Sequence, residues 1–428
     1  LKRNIYNELL KWKTMDVKTK MPLLLYGARQ IGKTYILKEF GKKEYINTVY
    51  LDFEKDVGLK ELFIDDISPQ KLILKIEQYF NTKINPKDTL LIFDEIQASN
   101  RALTSLKYFC EQMPEIDLIG AGSLLGVHIN SENFSFPVGK VFTKTMYPLN
   151  FEEFLMVSDK AIFADKIKEA FDNDTPLSSE LHNILIELYK SYLIVGGMPL
   201  STKSYFEKTL DFKEAQSLII NTYTSDMSKY SDKSQSIKTI NTYNSILTQL
   251  AKENKKFQYK LISKGARASL FGESIDWLIR AGVVVKTNKV NVGNAPFEMV
   301  RDLSNFKLYM SDTGLFCSKA GITWENIDIF DSIYLGGLIE NYIATNLVSN
   351  GYELYYWASE GKAEVDFLIN KDGFNIPIEV KKGKNTKSKS LEVFVEQYKP
   401  KYSIRISSKN FGFENNIKSV PLYAVHLI

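Results

Sequence analysis

The chain has 428 residues, and 55 Lys and Arg against 51 Asp and Glu leave a formal charge of +4. That length exceeds one hydrophobic core, so several domains are expected, and so small a charge neither demands nor excludes a nucleic-acid partner. Two cysteines, Cys110 and Cys317, and three scattered histidines, His128, His182 and His426, argue against a disulfide framework and a close-spaced zinc site. No apolar run reaches the ~18 residues of a membrane helix and no signal-peptide pattern opens the sequence, so a cytoplasmic protein without a membrane partner is expected.

In chain order, the apolar run Leu23–Tyr26 reads as a buried strand, and Tyr35–Phe40 reads as a helix. Between them Gly27-Ala28-Arg29-Gln30-Ile31-Gly32-Lys33-Thr34 satisfies G-x-x-x-x-G-K-[ST], the phosphate-binding loop, in the strand–loop–helix setting the motif needs. Its glycines let backbone N–H groups turn around a polyphosphate, and the following helix N-terminus favours negative charge. Lys33 is expected on the β/γ-phosphates and Thr34 on Mg²⁺.

A second strand is expected at Thr48–Asp52 and a third at Thr89–Phe93, which ends in Asp94-Glu95. Acids at the C-terminal edge of a buried strand stand where α/β sheets bind ligands. Asp94 is expected to hold Mg²⁺ through water, and Glu95 to orient the attacking water. A second acid beside the metal Asp points to hydrolysis rather than transfer. Further strands are expected at Ile116–Ala121 and Val141–Met146. The alternation with helices predicts a mostly parallel sheet covered on both faces. Ser123, after the fourth strand, could touch the γ-phosphate or the water. Without an N-K-x-D motif, ATP is preferred to GTP.

The phosphate loop, Leu91-Ile92-Phe93-Asp94-Glu95-Ile96-Gln97, Gly122-Ser123, Tyr147-Pro148-Leu149-Asn150-Phe151-Glu152-Glu153-Phe154 and Gly196-Gly197-Met198-Pro199 together resemble the AAA+ ATPases. The nearest likeness is to bacterial and archaeal ATP-binding proteins whose C-terminal half is catalogued as a domain of unknown function. The resemblance implies a five-stranded sheet with the sensor strand between the phosphate-loop strand and the Asp-Glu strand. It also implies Ser123 as the sensor, and a homo-oligomer completed by an arginine. Arg29 and Arg101 are candidates for that arginine, although each reads more simply as a local anchor.

From 151 to 235 the pattern turns helical, with Leu181, Ile184, Leu185, Leu188 and Tyr189 at helical spacing, and a lid over the nucleotide sheet is expected. Residues 236–300 give a helix with Ile246, Leu247 and Leu250, a short element at Leu261 and a helix with Phe271, Ile275, Trp277 and Leu278. With Val283-Val284-Val285 and a wing at Lys286–Asn294, this resembles a winged helix. Its third helix has few cations, Arg267 and Arg280 being opposed by Glu273 and Asp276, so a protein partner fits it as well as DNA does.

In the last segment, 301–428, a helix begins at Gly336-Gly337-Leu338-Ile339-Glu340. Ala363–Ile369 and Pro377–Lys381 alternate with period two about a turn at Asn370–Gly373, predicting a hairpin that gathers Asp366, Glu379 and Lys381. Acids on apolar strands are poorly explained as solvated surface. Two carboxylates on neighbouring strands make a hard-oxygen site for Mg²⁺ or Mn²⁺, which would activate water, while Lys381 would position the nucleophile. This D-x(12)-E-x-K spacing resembles the PD-(D/E)xK restriction-endonuclease-like superfamily, with Glu340 matching its helix acid and no Pro before Asp366. Lys382, Lys384, Lys387 and Lys389 are candidates for phosphate contacts.

The expectation is thus an α/β chain in four parts. They are an AAA+ P-loop domain with a parallel sheet over 1–150, a helical lid over 151–235, a winged-helix-like module over 236–300 and an endonuclease-like α/β domain over 301–428. ATP state would gate action on a nucleic acid, DNA ahead of RNA, or would switch the binding of a protein partner through an inactive nuclease-like fold.

Overall fold

The computed structural model describes residues 3–123, 136–229, 232–294, 296–327, 332–359, 361, 363–381 and 389–428. His128, Lys382, Lys384 and Lys387 lie outside the described residues. Two compact units emerge, one of Lys2–Tyr147 with Arg280–Gly282, the other of Pro148–Ile279 with Val283–Ile428.

The first unit runs α1 (Asn4–Lys13), β1 (Leu23–Tyr26), α2 (Lys33–Glu44), β2 (Asn47–Asp52), α3 (Pro69–Phe80), β3 (Thr89–Asp94), α4 (Asn100–Gln112), β4 (Asp117–Ala121) and β5 (Phe142–Thr145). The strands form one parallel sheet in the order β2-β3-β4-β1-β5. β4 therefore lies between the phosphate-loop strand and the Asp-Glu strand, as the resemblance implies. β3 is buried along its whole length, whereas most of β5 is exposed because it is an edge strand beside β1. On one face Phe53, Phe63 and Phe93 meet edge to face at 5.3–5.7 Å. Pro69 starts α3 and buries Leu72, Ile73 and Ile76 with it, and Asn81 at φ 47° ends the helix.

The second unit opens with helices α5 (Phe151–Val157), α6 (Ala161–Asn173), α7 (Ser179–Val195), α8 (Pro199–Glu207), α9 (Phe212–Lys229) and α10 (Lys233–Leu250). Asn150 and Glu153 start α5 with a reciprocal capping box. On α7 the buried stripe is Leu185, Tyr189, Tyr192 and Leu193, while Ile184 is 46% exposed. Tyr189 and Tyr192 both meet the Tyr342 ring, which turns the face away from Ile184.

The Gly196-Gly197-Met198-Pro199 turn is a three-way joint. The Gly197 carbonyl accepts from Leu149 N at 2.7 Å, and Gly197 N donates to Asp312 Oδ2 at 2.7 Å. A Cβ at Gly197 would stand 2.0 Å from the Leu149 carbonyl oxygen, so no larger residue fits there. Burial pushes the Asp312 carboxyl up to about 6, against the pull of the Leu315, Gly197 and Gly314 amides.

After α11 (Ala268–Arg280) come β6 (Val284–Val290), β7 (Arg301–Met310), α12 (Thr313–Ala320), α13 (Ser332–Ser349), β8 (Tyr355–Ala358), β9 (Glu364–Lys371), β10 (Phe374–Val380), α14 (Lys389–Tyr398), β11 (Ser403–Ser407), β12 (Gly412–Glu414) and β13 (Ile417–Pro421). The eight strands form one sheet, β12-β13-β11-β10-β9-β8-β6-β7. The residues expected to form a wing are thus part of this sheet: β6 pairs antiparallel with β7 and parallel with β8. A boundary at residue 300 would cut the sheet between two paired strands. The apolar run Val283-Val284-Val285 identified a strand but could not identify its second neighbour. β9 and β10 form the expected hairpin through a two-residue turn, Asp372 at φ 52° and Gly373 at φ 80°. Among the described residues no helix is long and apolar enough to cross a membrane, and both cysteines are free.

Candidate nucleotide site and C-terminal carboxylate cluster

The phosphate loop leaves β1 through Gly27 at φ 143° and enters α2 through Gly32 at φ 92°. A Cβ at Gly27 would stand 2.4 Å from the Met146 carbonyl, so glycine there answers to both backbone angle and space. Gln30 also takes a positive φ, 63°, a conformation costly for a residue with a side chain and concentrated at functional turns. Lys33 is buried, and its ammonium donates to the loop's own carbonyls at Gly27 (2.9 Å) and Ala28 (2.8 Å). Burial lowers its pKa to about 8, although Glu95 and Asp94 pull the other way.

At the head of α2 the Thr34 hydroxyl donates to Asp94 Oδ2 at 2.6 Å, and the Tyr50 hydroxyl donates to the same oxygen at 2.8 Å. Glu95, in the left-handed region at φ 48°, is held by the Gln97 amide. The Ser123 hydroxyl donates to Glu95 Oε2 at 3.4 Å, and Arg29 Nε donates to Ser123 Oγ at 3.4 Å. The structure therefore gathers Lys33, Thr34, Asp94, Glu95, Arg29 and Ser123 on one edge of the sheet. Thr34 and Asp94 are hard-oxygen donors placed side by side, a set that fits Mg²⁺. Arg29 also pairs with Glu54 at 3.4 Å, and Arg101 donates to the carbonyls of Phe63 and Asp65. Both arginines thus have partners within the unit.

Two participants have no motif to announce them. Tyr50 is an ordinary strand aromatic in the sequence. Arg3, 6% exposed, donates through Nη1 to the Ile31 carbonyl inside the phosphate loop (3.0 Å) and through Nη2 to the Tyr147 carbonyl (2.6 Å).

In the second unit the hairpin register pairs Ile378 with Phe367, so Glu379 and Asp366 come one position beyond the last paired residues. Asp366 Oδ2 accepts from Val380 N at 2.8 Å. Burial, then Glu340, then Glu379 hold its carboxyl well above the usual range. The remaining acids have cations of their own. Glu379 pairs with Lys381 at 2.7 Å. Glu340, on α13, pairs with Lys255 at 2.5 Å and Lys307 at 3.7 Å, and it accepts from the Tyr309 hydroxyl at 3.3 Å. Lys307 is 1% exposed and also meets Glu364 at 2.7 Å.

The expected metal site of Glu340, Asp366 and Glu379 is therefore not assembled. Among the described residues no three His, Cys, Asp or Glu side chains are placed to hold a metal ion. The acids are near enough to feel one another, but lysines turn two of them aside and a backbone amide holds the third. These residues do not fit Mg²⁺ or Mn²⁺ as they stand. Lys307 was legible in the sequence, as a lone charge in the apolar run Phe306–Met310, by the logic that singled out Asp366. Lys255, in a polar stretch, carried no such signal.

Residues 19–155 match the family model described as an AAA domain. The first unit is an AAA-type P-loop domain. Beyond this AAA domain, residues 186–326 and 335–425 match two models, each described as a domain of unknown function. No curated protein matches the chain. Among solved structures, the chain is similar to the Walker-type ATPase of Pyrococcus abyssi at 15% identity, over 74% of this chain and 95% of that one, with a TM-score of 0.41. It is also similar to the ORC1 protein of Aeropyrum pernix in complex with DNA, at 10% identity over 74% and 91%, TM-score 0.29. AMPPCP-bound DnaA from Aquifex aeolicus follows at 16% identity over 63% and 85%, TM-score 0.27.

Proposed function

We propose that the chain binds and hydrolyses ATP with Mg²⁺ in its AAA domain, and that the nucleotide state sets the activity of the second unit. The observation that carries this is the bond from the Thr34 hydroxyl to Asp94, directly after a buried lysine folded into the phosphate loop. Gly27–Thr34 would wrap the phosphates with backbone N–H groups, and Lys33 would exchange its two carbonyl partners for phosphate oxygens. Thr34 and Asp94 would hold Mg²⁺, which supplies charge neutralisation on the phosphates when bound. Glu95 would orient the attacking water, and Ser123, bonded to Glu95, would report the loss of the γ-phosphate.

The test is ATP turnover with Mg²⁺. Glu95→Gln should lower turnover roughly a hundredfold while leaving ATP binding near wild type. Equal losses of binding and turnover would remove Glu95 from the proposed chemistry.

For the second unit we propose that the endonuclease-like hairpin binds nucleic acid rather than cutting it, DNA ahead of RNA. Lys255 and Lys307, which pair with Glu340, and Lys381, which pairs with Glu379, support this reading over metal-dependent cleavage. Cleavage of DNA or RNA with Mg²⁺ or Mn²⁺ that disappears in Asp366→Asn would overturn it. ATP-dependent capture of a protein, with no affinity for nucleic acid, would instead support a switch acting on a protein partner.

A further inference from the structure

On the second unit a cavity of about 390 Å³ lies between the β9–β10 turn and the end of α14. The tight turn leaves Phe374 45% exposed at the start of β10, with the Lys401 ammonium 4.1 Å from its ring centroid. Tyr398, the last residue of α14, supplies a second aromatic wall. A Cβ at Gly293 would stand 2.4 Å from the Phe394 ring and 2.8 Å from Tyr398, so this wall forms only because residue 293 lacks a side chain. Lys399 takes φ 46° immediately before Pro400, a conformation that side chains rarely adopt and that tends to mark functional sites. Three asparagines, Asn294, Asn370 and Asn375, line the same space, with Asn370 Nδ2 donating to Asn375 Oδ1 at 3.1 Å. Among the described residues lining the cavity none is acidic.

We infer that this cavity binds a nucleobase that carries a phosphate. Aromatic rings offer stacking faces, amides offer paired donors and acceptors to a base edge, and Lys399 and Lys401 offer charge to a phosphate. A purely apolar ligand would make no use of the two ammonium groups or the asparagine amides, and a cation would meet no carboxylate among the described lining residues. Such a ligand would displace the Lys401 ammonium from the Phe374 ring toward the phosphate. From Phe374 to Glu379 the strand rises about 17 Å, so the cavity is separate from the carboxylate cluster. The inference rests on the nucleic-acid reading of the second unit, and the source is a single strand or a free nucleotide.

The experiment uses the full chain carrying Lys33→Ala, which silences the phosphate loop. A fluorescein-labelled oligothymidylate is followed by anisotropy and thymidine monophosphate by calorimetry, in this background and with Phe374→Ala or Lys401→Glu added. The expected result is binding that each added substitution weakens roughly tenfold, with unchanged melting curves. Oligonucleotide binding far tighter than monophosphate binding identifies a strand, and equal affinities identify the free nucleotide. Oligonucleotide binding indifferent to both substitutions overturns the cavity and leaves the nucleic-acid reading standing. Absence of binding by either probe overturns both.

Discussion

Both units carry acids on apolar strands, yet they surround those acids differently. Asp94 accepts two hydroxyls, from Thr34 and Tyr50, while the neighbouring Lys33 spends its donors on backbone carbonyls. Glu340, Glu364 and Glu379 each meet a lysine, and Asp366 accepts from a main-chain amide. In the first arrangement the cation is bonded to carbonyls and the carboxylate to hydroxyls and the Glu95 amide; in the second, three acids are paired with lysines. A carboxylate on a strand is therefore only half a site, and the identity of its nearest donor decides whether chemistry is available there.

The largest expected break of this contrast is Lys33→Ala, which should abolish ATP binding measured with a fluorescent nucleotide, without altering the melting of the second unit. Lys307→Ala should do the converse. Leaving Glu340 and Glu364 beside an emptied position should cost about 3–5 kcal/mol of stability in urea unfolding, with ATP affinity unchanged. Lys381→Ala, where the lysine is partly exposed beside a buried Glu379 and neutralises one acid rather than two, should cost less than Lys307→Ala, so equal losses at the two lysines would contradict the paired-cluster description.

A pH series sharpens the comparison further. Lys33 has its pKa lowered to about 8 by burial, and a bound triphosphate would raise it, so binding takes up a proton above that value. ATP affinity should be flat below about pH 8 and fall toward tenfold per unit above it, when followed by calorimetry in buffers of different ionisation enthalpy. Invariant affinity to pH 9.5 would show that Lys33 keeps its proton in the empty loop. The smallest expected effect is Arg3→Lys. A lysine cannot reach both the Ile31 and Tyr147 carbonyls as a guanidinium fork does, so ATP affinity should weaken severalfold with little change in melting.

The AAA domain was largely legible because its signals are local. A glycine-rich loop between a strand and a helix fixes its own backbone, and the buried strands β1, β3 and β4 announce themselves by apolar runs. The hairpin of β9 and β10 was legible for the same reason, through period-two alternation and a two-residue turn. The stripe on α7 was misaligned because helical spacing alone cannot say which of two adjacent faces meets Tyr342. The pairing of the expected wing residues with β8 was not legible, because β6 looks the same in sequence whether it ends a ribbon or continues into β8.

By itself the sequence determined which residues carry charge into apolar elements: Lys33, Asp94, Glu95, Asp366 and Glu379. It also determined the backbone conformations that Gly27, Gly32 and Gly197 permit. Only the tertiary structure decided the counter-ions. Lys255 lies 85 residues before Glu340 and Lys307 lies 57 before Glu364, and Arg3 reaches the Tyr147 carbonyl across 144. Partner choice over such separations follows from sheet order and helix packing, which hydropathy periodicity does not encode. That choice separates a carboxylate bonded to hydroxyls from a set of carboxylates paired with lysines.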